Sequence, residues 1–163
     1  MPIKCVRIDD RFVHGQVATY WLRHVNADQI ICISDAAAAN PVQGQVMKMA
    51  APDLAVHVFG VDKFIKIYNS QPIRKSTFLI LGSTSDVLAL VKGGVNEIKE
   101  VNFGGMRPNA SRTHEYTPLI CFSDEEEKAF YELLDLGIKI DYKVAAFDEP
   151  VPLLDVLKSN KKS

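Results

Sequence analysis

The chain has almost no net charge and few cysteines. Its 163 residues include 19 basic and 20 acidic side chains, for a formal net charge of -1, which argues against a nucleic-acid binder that relies on bulk positive charge. The cysteines, Cys5, Cys32 and Cys121, lie inside apolar runs, and no two are spaced as a metal clip or a redox pair. We therefore expect buried free thiols in a reducing compartment.

Long apolar runs and targeting segments are missing too. No apolar stretch approaches the ~20 residues that a membrane-spanning helix needs. The N-terminus leads directly into a short strand-like run, with no recognisable signal peptide. We therefore expect a cytoplasmic protein, which can still dock on a membrane complex.

The common signatures of nucleotide, hydrolase and zinc chemistry are absent as well. The sequence has no G-x-x-x-x-G-K-[ST], no G-x-G-x-x-G after its first strand, no G-x-S-x-G and no H-E-x-x-H. Its histidines are scattered, and a metal site built from Asp9, Asp10 and His14 fits no common ligand pattern. We expect neither a cofactor nor a metal, and a nucleotide-dependent enzyme is the least favoured alternative.

What the chain does contain is a regular alternation of short apolar runs and segments with helical periodicity. Strands are predicted at Ile3–Ile8, Gln29–Ser34, Leu54–Phe59, Thr77–Leu81, Ile98–Phe103 and Ile138–Ala145. Helices are predicted at Gln16–His24, from Asn40 to Pro52, at Asp62–Tyr68, from Ser83 to Gly93, from Ser123 to Leu136 and at Leu153–Lys158. The pattern predicts an α/β fold, with one domain over residues 1–163, an open, doubly wound, mainly parallel sheet and helices on both faces.

Two segments carry more specific expectations. The helix after Asn40 is expected to turn its apolar side chains toward the core, namely Val42, Val46, Met49 and Ala50. Residues 104–118 are predicted to be one long irregular segment, and loops of that length in compact domains tend to be functional. His114 lies within this segment, and its role is left open.

Parallel α/β sheets bind their ligands at the carboxyl ends of the strands. Three predicted loops leave from such ends: Asp9–Gly15, Gly82–Ser85 and the segment that begins at Gly104. We expect these loops to meet and to form the candidate site. On this geometry, helper roles in binding are expected for Ser83, Thr84, Gly104 and Gly105.

The first of these loops contains the residues with the clearest chemistry. His14 offers an imidazole that is partly neutral near pH 7 and can attack phosphorus. Arg11 offers a planar fork of donors for the oxygens of a transferring phosphoryl group. Gly15 lets an anion approach the backbone at the start of a helix, while Asp9 or Asp10 could orient the imidazole or hold Arg11.

These residues by themselves leave other interpretations open. His14 can be an ordinary polar loop residue, and Arg11 can be part of a surface ion pair of little value. A regulatory or binding module that senses an anion through this loop, without chemistry, also fits the pattern.

The run IKCVRIDDRFVHGQVATYW near the N-terminus resembles the start of the IIB components of the mannose/sorbose-type sugar phosphotransferase system. That family typically shows an R-I-D-x-R-hydrophobic-x-H-G-Q-V run. Later landmarks are also similar: SDAAAANP after the second strand, KMAAP at Lys48–Pro52 and VNFGGM at Val101–Met106. The resemblance covers essentially the whole chain, in order.

The resemblance implies that the chain is a phosphoryl carrier. His14 would be phosphorylated through Nδ1 by the IIA component, and the group would then pass to a sugar held by the membrane components IIC and IID. Arg11 matches the arginine of the motif and would stabilise the phosphoryl group, whereas Asp10 falls on a variable position and Asp9 on a fixed one. No cofactor or metal is needed in this domain, because magnesium enters at the first, enolpyruvate-dependent step on another protein.

The same resemblance bears on the rest of the loop and on the partners. Phe12 and Val13 fill apolar motif positions and would form an apolar rim for docking, and Gly15 and Gln16 complete the phosphate-binding run. The domain would dock at the inner face of the membrane transporter and bind no nucleic acid. The sugar stays open among N-acetylgalactosamine, galactosamine, mannose, fructose and sorbose, and so does assembly into a homo-oligomer.

Overall fold

Residues 2–15 and 17–160 are described by a computed structural model. Its strands are β1 (Ile3–Asp9), β2 (Gln29–Ile33), β3 (Ala55–Phe59), β4 (Thr77–Leu81), β5 (Glu100–Gly105), β6 (His114–Thr117), β7 (Ile120–Phe122), β8 (Lys139–Tyr142) and β9 (Val151–Pro152). A π-helical turn at Val17–Trp21 leads into the first helix. The α-helices are α1 (Leu22–Val25), α2 (Asp35–Ala38), α3 (Pro41–Ala50), α4 (Val61–Ser70), α5 (Thr84–Lys92), α6 (Asp124–Asp135) and α7 (Leu153–Ser159).

Seven strands of the described chain form one sheet, in the order β3-β2-β4-β1-β5-β8-β9. Neighbouring strands are parallel except for β8 and β9, which pair antiparallel through Asp141 and Tyr142. β8 ends at Tyr142 rather than at the predicted Ala145. The predicted open, mainly parallel α/β sheet is confirmed.

Helices cover both faces of the sheet, because the central strands are apolar on both sides. Along β4, Leu79 and Leu81 point to a core that includes residues of α4, α5 and α6, whereas Phe78 and Ile80 point to a second core that includes Trp21. The sheet is therefore doubly wound, as predicted. Within the described ranges, no helix combines the length and the apolar character needed to cross a membrane.

The predicted helix starts are largely confirmed. Asn40 caps α3 by accepting hydrogen bonds from backbone N–H groups of its first turn, and Ser123 and Glu126 form the predicted capping box of α6. The N-terminal region differs from the prediction, because Val17–Trp21 is a π-helical turn rather than regular α-helix. Gln16 lies outside the described residues.

The prediction of an irregular segment over residues 104–118 is wrong. β5 extends through Gly105, and β6 pairs antiparallel with β7. This hairpin is tied to the end of β5, since Met106 N–H donates to the Leu119 carbonyl oxygen at 2.8 Å and Met106 O accepts from Cys121 N–H at 3.1 Å. β6 and β7 have only 4 and 3 residues, too few for a clear period-two pattern.

The prediction that α3 turns Val42, Val46 and Met49 toward the core is also wrong. These side chains are 73%, 58% and 70% exposed, and the helix buries Met47 instead. Ala50 packs against the same core as Met47, as predicted. The stripe that faces the sheet thus combines one large side chain with small ones, which lets the helix pack close to the strands.

Candidate functional site

β1 and β4 lie side by side at the centre of the sheet, and the chain leaves their carboxyl ends in opposite directions. From β1 it crosses to β2 on one side, and from β4 it crosses to β5 on the other. Such a topological switch point opens a crevice outside the strand ends, where open α/β sheets bind their ligands. The loop that contains His14 begins at this point.

The strand-end loops meet at this crevice, as predicted. Asp10 N–H donates to the Gly105 carbonyl oxygen at 3.1 Å, and Arg112 Nη2 donates to the Gly82 carbonyl oxygen at 3.3 Å. The Phe12 ring packs against Gly82, where a Cβ atom would lie 3.0 Å from Phe12 Cζ. Glycine at position 82 therefore lets the first loop come into contact with the second.

Beneath the His14 loop lies a buried ion pair between Arg7 and Asp9. Both side chains are fully buried, and Arg7 Nη2 lies 3.3 Å from Asp9 Oδ2. Arg7 also donates to the carbonyl oxygens of Lys143 and Val144, at 2.7 and 2.9 Å, and its guanidinium lies 4.2 Å from the centre of the Trp21 ring. Burial lowers the pKa of Arg7, and the charge of Asp9 opposes this shift. Asp9 therefore stabilises the buried Arg7 cation at the floor of the site.

Asp9 also holds Arg11. Its Oδ1 accepts from the backbone N–H and from Nε of Arg11, at 3.1 and 3.2 Å, and its Oδ2 accepts from Nη2 at 3.4 Å. The Arg11 side chain is 30% exposed, and its Nη1 has no hydrogen-bond acceptor among the described residues. Arg11 is thus oriented by a buried carboxylate and keeps N–H groups that can bind an anion.

His14 lies near the end of the same loop and is half-buried. Its Nδ1 is 2.8 Å from the Phe12 carbonyl oxygen, and because a carbonyl only accepts, this contact assigns the proton to Nδ1. Nε2 is buried and has no hydrogen-bond partner among residues 2–15 and 17–160. In this rotamer the free lone pair is on Nε2, so phosphorylation at Nδ1 requires the ring to turn away from Phe12.

Asp10 has a different set of partners from Asp9. Its Oδ2 accepts from Arg112 Nη1 at 2.7 Å and from the backbone N–H of Arg107 at 2.9 Å, and its Oδ1 accepts from Arg107 Nε at 3.0 Å. Asp9 therefore holds Arg11 from inside the sheet, whereas Asp10 ties the loop to the segment that follows β5.

Phe12 and Val13 do not form the predicted apolar rim. Both are buried, at 5% and 4% exposure, in the core on the α3 face of the sheet. Phe12 has a φ of 57°, in the left-handed region, and this backbone conformation places its ring inward against Gly82. Large exposed apolar side chains lie elsewhere, on α3 and at Tyr20 and Phe147.

The predicted helper roles of Ser83 and Thr84 do not match their contacts. Ser83 Oγ accepts from the backbone N–H of Asp86 at 3.2 Å and caps α5. Thr84 is fully buried and its hydroxyl donates to the Glu126 carbonyl oxygen at 2.7 Å. Ser83 therefore caps α5, whereas the buried Thr84 hydroxyl joins α5 to α6 and is not placed to bind a phosphate.

The glycines of the site serve different purposes. Gly104 and Gly105 lie inside β5 rather than in a loop, and a Cβ atom at Gly104 would overlap Arg7 Nη2. Gly104 therefore leaves room for a buried guanidinium and not for a phosphate. Gly15 is exposed, with no described atom within 4 Å of its would-be Cβ atom, which keeps the backbone open as expected. The predicted role of Gln16 falls outside the described residues.

Three arginines of the site are absent from the predicted set. The sequence does contain a signal for Arg7, since it is a charged residue inside an apolar strand and Asp9 follows two positions later on the same face. No local pattern marks Arg107 or Arg112, whose partner Asp10 is 97 and 102 positions away in the chain.

His114, the histidine of the long segment after β5, contacts carboxylates rather than the His14 loop. Its Nε2 hydrogen-bonds Asp124, and its Nδ1 lies 3.6 Å from Glu127. Both carboxylates belong to the first turn of α6, so His114 joins β6 to that helix.

Asp86, in the first turn of α5, gives a pH-dependent prediction. Burial raises its pKa from 3.8 to about 6, and the charges of Asp35 and Glu126 add to the shift. Because the folded chain binds this proton more tightly than the unfolded chain, its contribution to stability is present at acid pH and is lost as the pH rises through about 6. Asp86→Asn is expected to raise the free energy of unfolding by about 1–2 kcal/mol near pH 7.5 and to change it little near pH 4. Urea unfolding of the wild type and of Asp86→Asn at both pH values measures the change in the free energy of unfolding. An equal change at the two pH values would contradict the prediction.

Comparisons with known proteins agree on one family. The family model described as PTS system sorbose subfamily IIB component matches residues 3–163. The chain is 35% identical over 159 residues to the PTS system sorbose-specific EIIB component of Klebsiella pneumoniae, covering 95% of this chain and 94% of that protein. It is 33% identical over 164 residues to the PTS system mannose-specific EIIAB component of Escherichia coli (strain K12), covering 99% of this chain and 50% of that protein. The crystal structure of the IIBSor domain of the sorbose permease from Klebsiella pneumoniae matches with a TM-score of 0.88 at 34% identity, covering 99% of each chain.

Proposed function

The chain belongs to the family of PTS sorbose subfamily IIB components, and from this premise we propose that it is a phosphoryl carrier with His14 as the acceptor. The family acts in phosphoryl transfer during sugar uptake. In this proposal the IIA component phosphorylates His14, and the phosphoryl group then passes to a sugar imported by the IIC and IID membrane components. The observation that carries the proposal is that one short loop combines His14 with Arg11, an arginine held by a buried carboxylate and left with free donors.

The loop suits a transfer that needs little covalent work from the protein. As the P–N bond of the donor phosphohistidine breaks, a P–N bond to His14 forms, and the donor imidazole keeps the electron pair. The transferring group spreads its charge over three oxygens, so oriented donors lower the barrier without any further covalent group. Nη1 of Arg11 and the backbone N–H groups near the exposed Gly15 can act as such donors.

The tautomer of His14 sets a condition on this step. The attacking nitrogen must be unprotonated, and in the described rotamer that atom is the buried Nε2. Transfer to Nδ1, which the family motif implies, requires the imidazole to leave the Phe12 carbonyl oxygen as the donor docks. The buried Arg7–Asp9 pair would keep the floor of the loop in place during this rotation.

The partners follow from the same proposal. The chain would act in the cytoplasm and alternate between IIA and the inner face of the transporter, so each contact would be transient. A matching relative bears the name EIIAB, which supports a IIA partner. The names of the relatives include both sorbose and mannose, and the sugar is left open. No cofactor or metal is part of the proposal.

The proposal predicts phosphorylation that depends on phosphoenolpyruvate and on His14. When mixed with phosphoenolpyruvate and the upstream carriers, including IIA, the wild-type chain is expected to gain an acid-labile phosphoryl group. His14→Ala is expected to gain none, because it lacks the acceptor nitrogen. Intact-protein mass spectrometry at alkaline pH measures the gain.

His114→Ala is the matched control, since it removes a histidine that contacts α6 rather than the loop. It is expected to be phosphorylated like the wild type. Phosphorylation of His14→Ala at the wild-type level would overturn the proposal. A module that only senses an anion would leave the wild-type chain without label.

A further inference from the structure

We propose that Arg112 is a positioning residue for phosphoryl transfer, which fixes the His14 loop by joining Asp10 to the Gly82 carbonyl and to Glu126. The inference rests on the proposed function, because it concerns the geometry of the loop that would accept the phosphoryl group. Arg112 lies between β5 and β6, outside the run that carries the family motif.

The N–H groups of the Arg112 guanidinium, five in any arginine, all have acceptors. Nη1 donates to Asp10 Oδ2 at 2.7 Å and to the Arg107 carbonyl oxygen at 2.9 Å. Nη2 donates to the Gly82 carbonyl oxygen at 3.3 Å and to Glu126 Oε2 at 3.1 Å, and Nε donates to Glu126 Oε1 at 3.0 Å. Since a guanidinium has no other donors, Arg112 cannot also donate a hydrogen bond to the transferring group while these contacts last.

Burial and charge are consistent with this role. The Arg112 side chain is 7% exposed, and it lies between the carboxylates of Asp10 and Glu126, which are 15% and 13% exposed. Burial would lower the pKa of Arg112, but the hydrogen bonds to Glu126 and Asp10 outweigh it, and the pKa is raised. The folded chain thus stabilises this cation between two nearly buried carboxylates.

Two partners of Arg112 lie on or directly beside regular elements. Glu126 belongs to the capping box of α6, where its Oε1 also accepts from the Ser123 N–H at 2.9 Å. Gly82 follows directly after β4. The backbone of Arg112 is itself held by Asn109, whose Oδ1 accepts the Arg112 N–H at 3.0 Å. Arg112 therefore joins the loop after β1 to the end of β4 and to the start of α6.

Arg107 shares Asp10 but is not an equivalent clamp. Its side chain is 53% exposed, and an exposed ion pair of this kind contributes little. Without Arg112, Asp10 would keep its contacts with Arg107 and Gly105, but the loop would lose its polar links to the Gly82 carbonyl oxygen and to Glu126. A displacement of about 1 Å in a reacting group can slow a transfer by ~10²-fold.

The test compares phosphorylation by IIA in the wild type, Arg112→Met and Arg112→Lys. Arg112→Met is expected to lower the maximal single-turnover rate by ~10–100-fold, while the KM for phosphorylated IIA stays unchanged. Arg112→Lys is expected to recover part of the rate, because an ammonium keeps the charge but lacks the planar fork. Lys92→Met is the matched control: it removes an exposed ion pair with Glu132 and is expected to leave the rate unchanged.

Two further variants separate positioning from loss of fold. Arg112→Met leaves the carboxylates of Asp10 and Glu126 without their shared cation. The double variant Arg112→Met/Glu126→Gln therefore removes one of the two carboxylate charges as well. The Tm of each variant is measured alongside its rate of phosphorylation. If Arg112 acts through Asp10, adding Arg112→Met to an Asp10→Asn chain is expected to slow transfer less than it slows the wild type.

A folded Arg112→Met/Glu126→Gln chain that is phosphorylated at the wild-type rate would overturn the inference. A raised KM with an unchanged maximal rate would also overturn it, because Arg112 would then be a docking residue. Failure of the wild-type chain to accept a phosphoryl group would overturn the proposed function, and this result is visible before any Arg112 variant is compared.

Discussion

Asp9→Asn is expected to lower the free energy of unfolding by ~3–5 kcal/mol and to stop phosphoryl transfer to His14. The substitution removes the negative charge between two arginines, so the fully buried Arg7 guanidinium loses its counter-ion. It also releases Arg11, whose backbone N–H and Nε are bound by the same carboxylate. Urea unfolding measures the first effect, and the rate of phosphorylation by IIA measures the second.

Asp10→Asn is the matched control, because it makes the same chemical change one residue away. Asp10 is 15% exposed, and Arg112 keeps its hydrogen bonds to Glu126 when Asp10 is neutral. We expect the free energy of unfolding to fall by ~1 kcal/mol. Phosphoryl transfer to His14 is expected to be slowed but not stopped. Equal losses of stability in the two variants would contradict the different roles of these aspartates.

Gly104→Ala is expected to lower the free energy of unfolding by ~2–4 kcal/mol, above the usual range for overpacking because the displaced group is a buried charge. The added methyl group overlaps Arg7 Nη2. The Arg7 guanidinium is held by the carbonyl oxygens of Lys143 and Val144 and cannot move without losing them. Because Asp9 pairs with Arg7, the rate of phosphorylation is expected to fall as well. Urea unfolding and the single-turnover rate check both effects.

Gly44→Ala, the same substitution in the middle of α3, is expected to raise the free energy of unfolding rather than to lower it. Apart from its chain neighbours and the backbone of its own helix, no described atom lies within 4 Å of the methyl group that it adds. Replacing glycine by alanine inside a helix stabilises by roughly 0.5–1 kcal/mol. A Gly104→Ala chain as stable as the wild type would contradict the tight placement of the Arg7 guanidinium.

Much of the fold could be predicted from local patterns. β2 and β4 are continuous apolar runs, QIICI and TFLIL, because each is covered on both faces. The caps at Asn40 and Ser123 mark helix starts through contacts with the next few residues. Such patterns predict the same local structure wherever the segment lies in the fold.

The predictions that failed depend on contacts that local patterns do not contain. α3 has more than one apolar stripe, and packing against the sheet selects the one with Met47 rather than the one with Val46. Phe12 points inward because its φ is positive and Gly82 leaves room for its ring. The β6–β7 hairpin is tied to Met106, beyond the end of β5.

The candidate site shows the same contrast. His14, Arg11 and Asp9 could be predicted as a group because they fall in one short run, although their roles stay predictions. Arg112 meets Asp10 only in the folded chain, 102 positions away. The sequence predicts a helper role in binding for Gly104, and this glycine instead leaves space for the buried Arg7 guanidinium.

The central claim is that His14 carries the phosphoryl group. Peptide-resolved mass spectrometry of the wild-type chain, phosphorylated through IIA and digested at alkaline pH, tests it most directly. We predict the added mass of a phosphoryl group on the peptide that contains His14 and on no other. Phosphate on a peptide that contains His24, His57 or His114, with the His14 peptide unmodified, would contradict the claim.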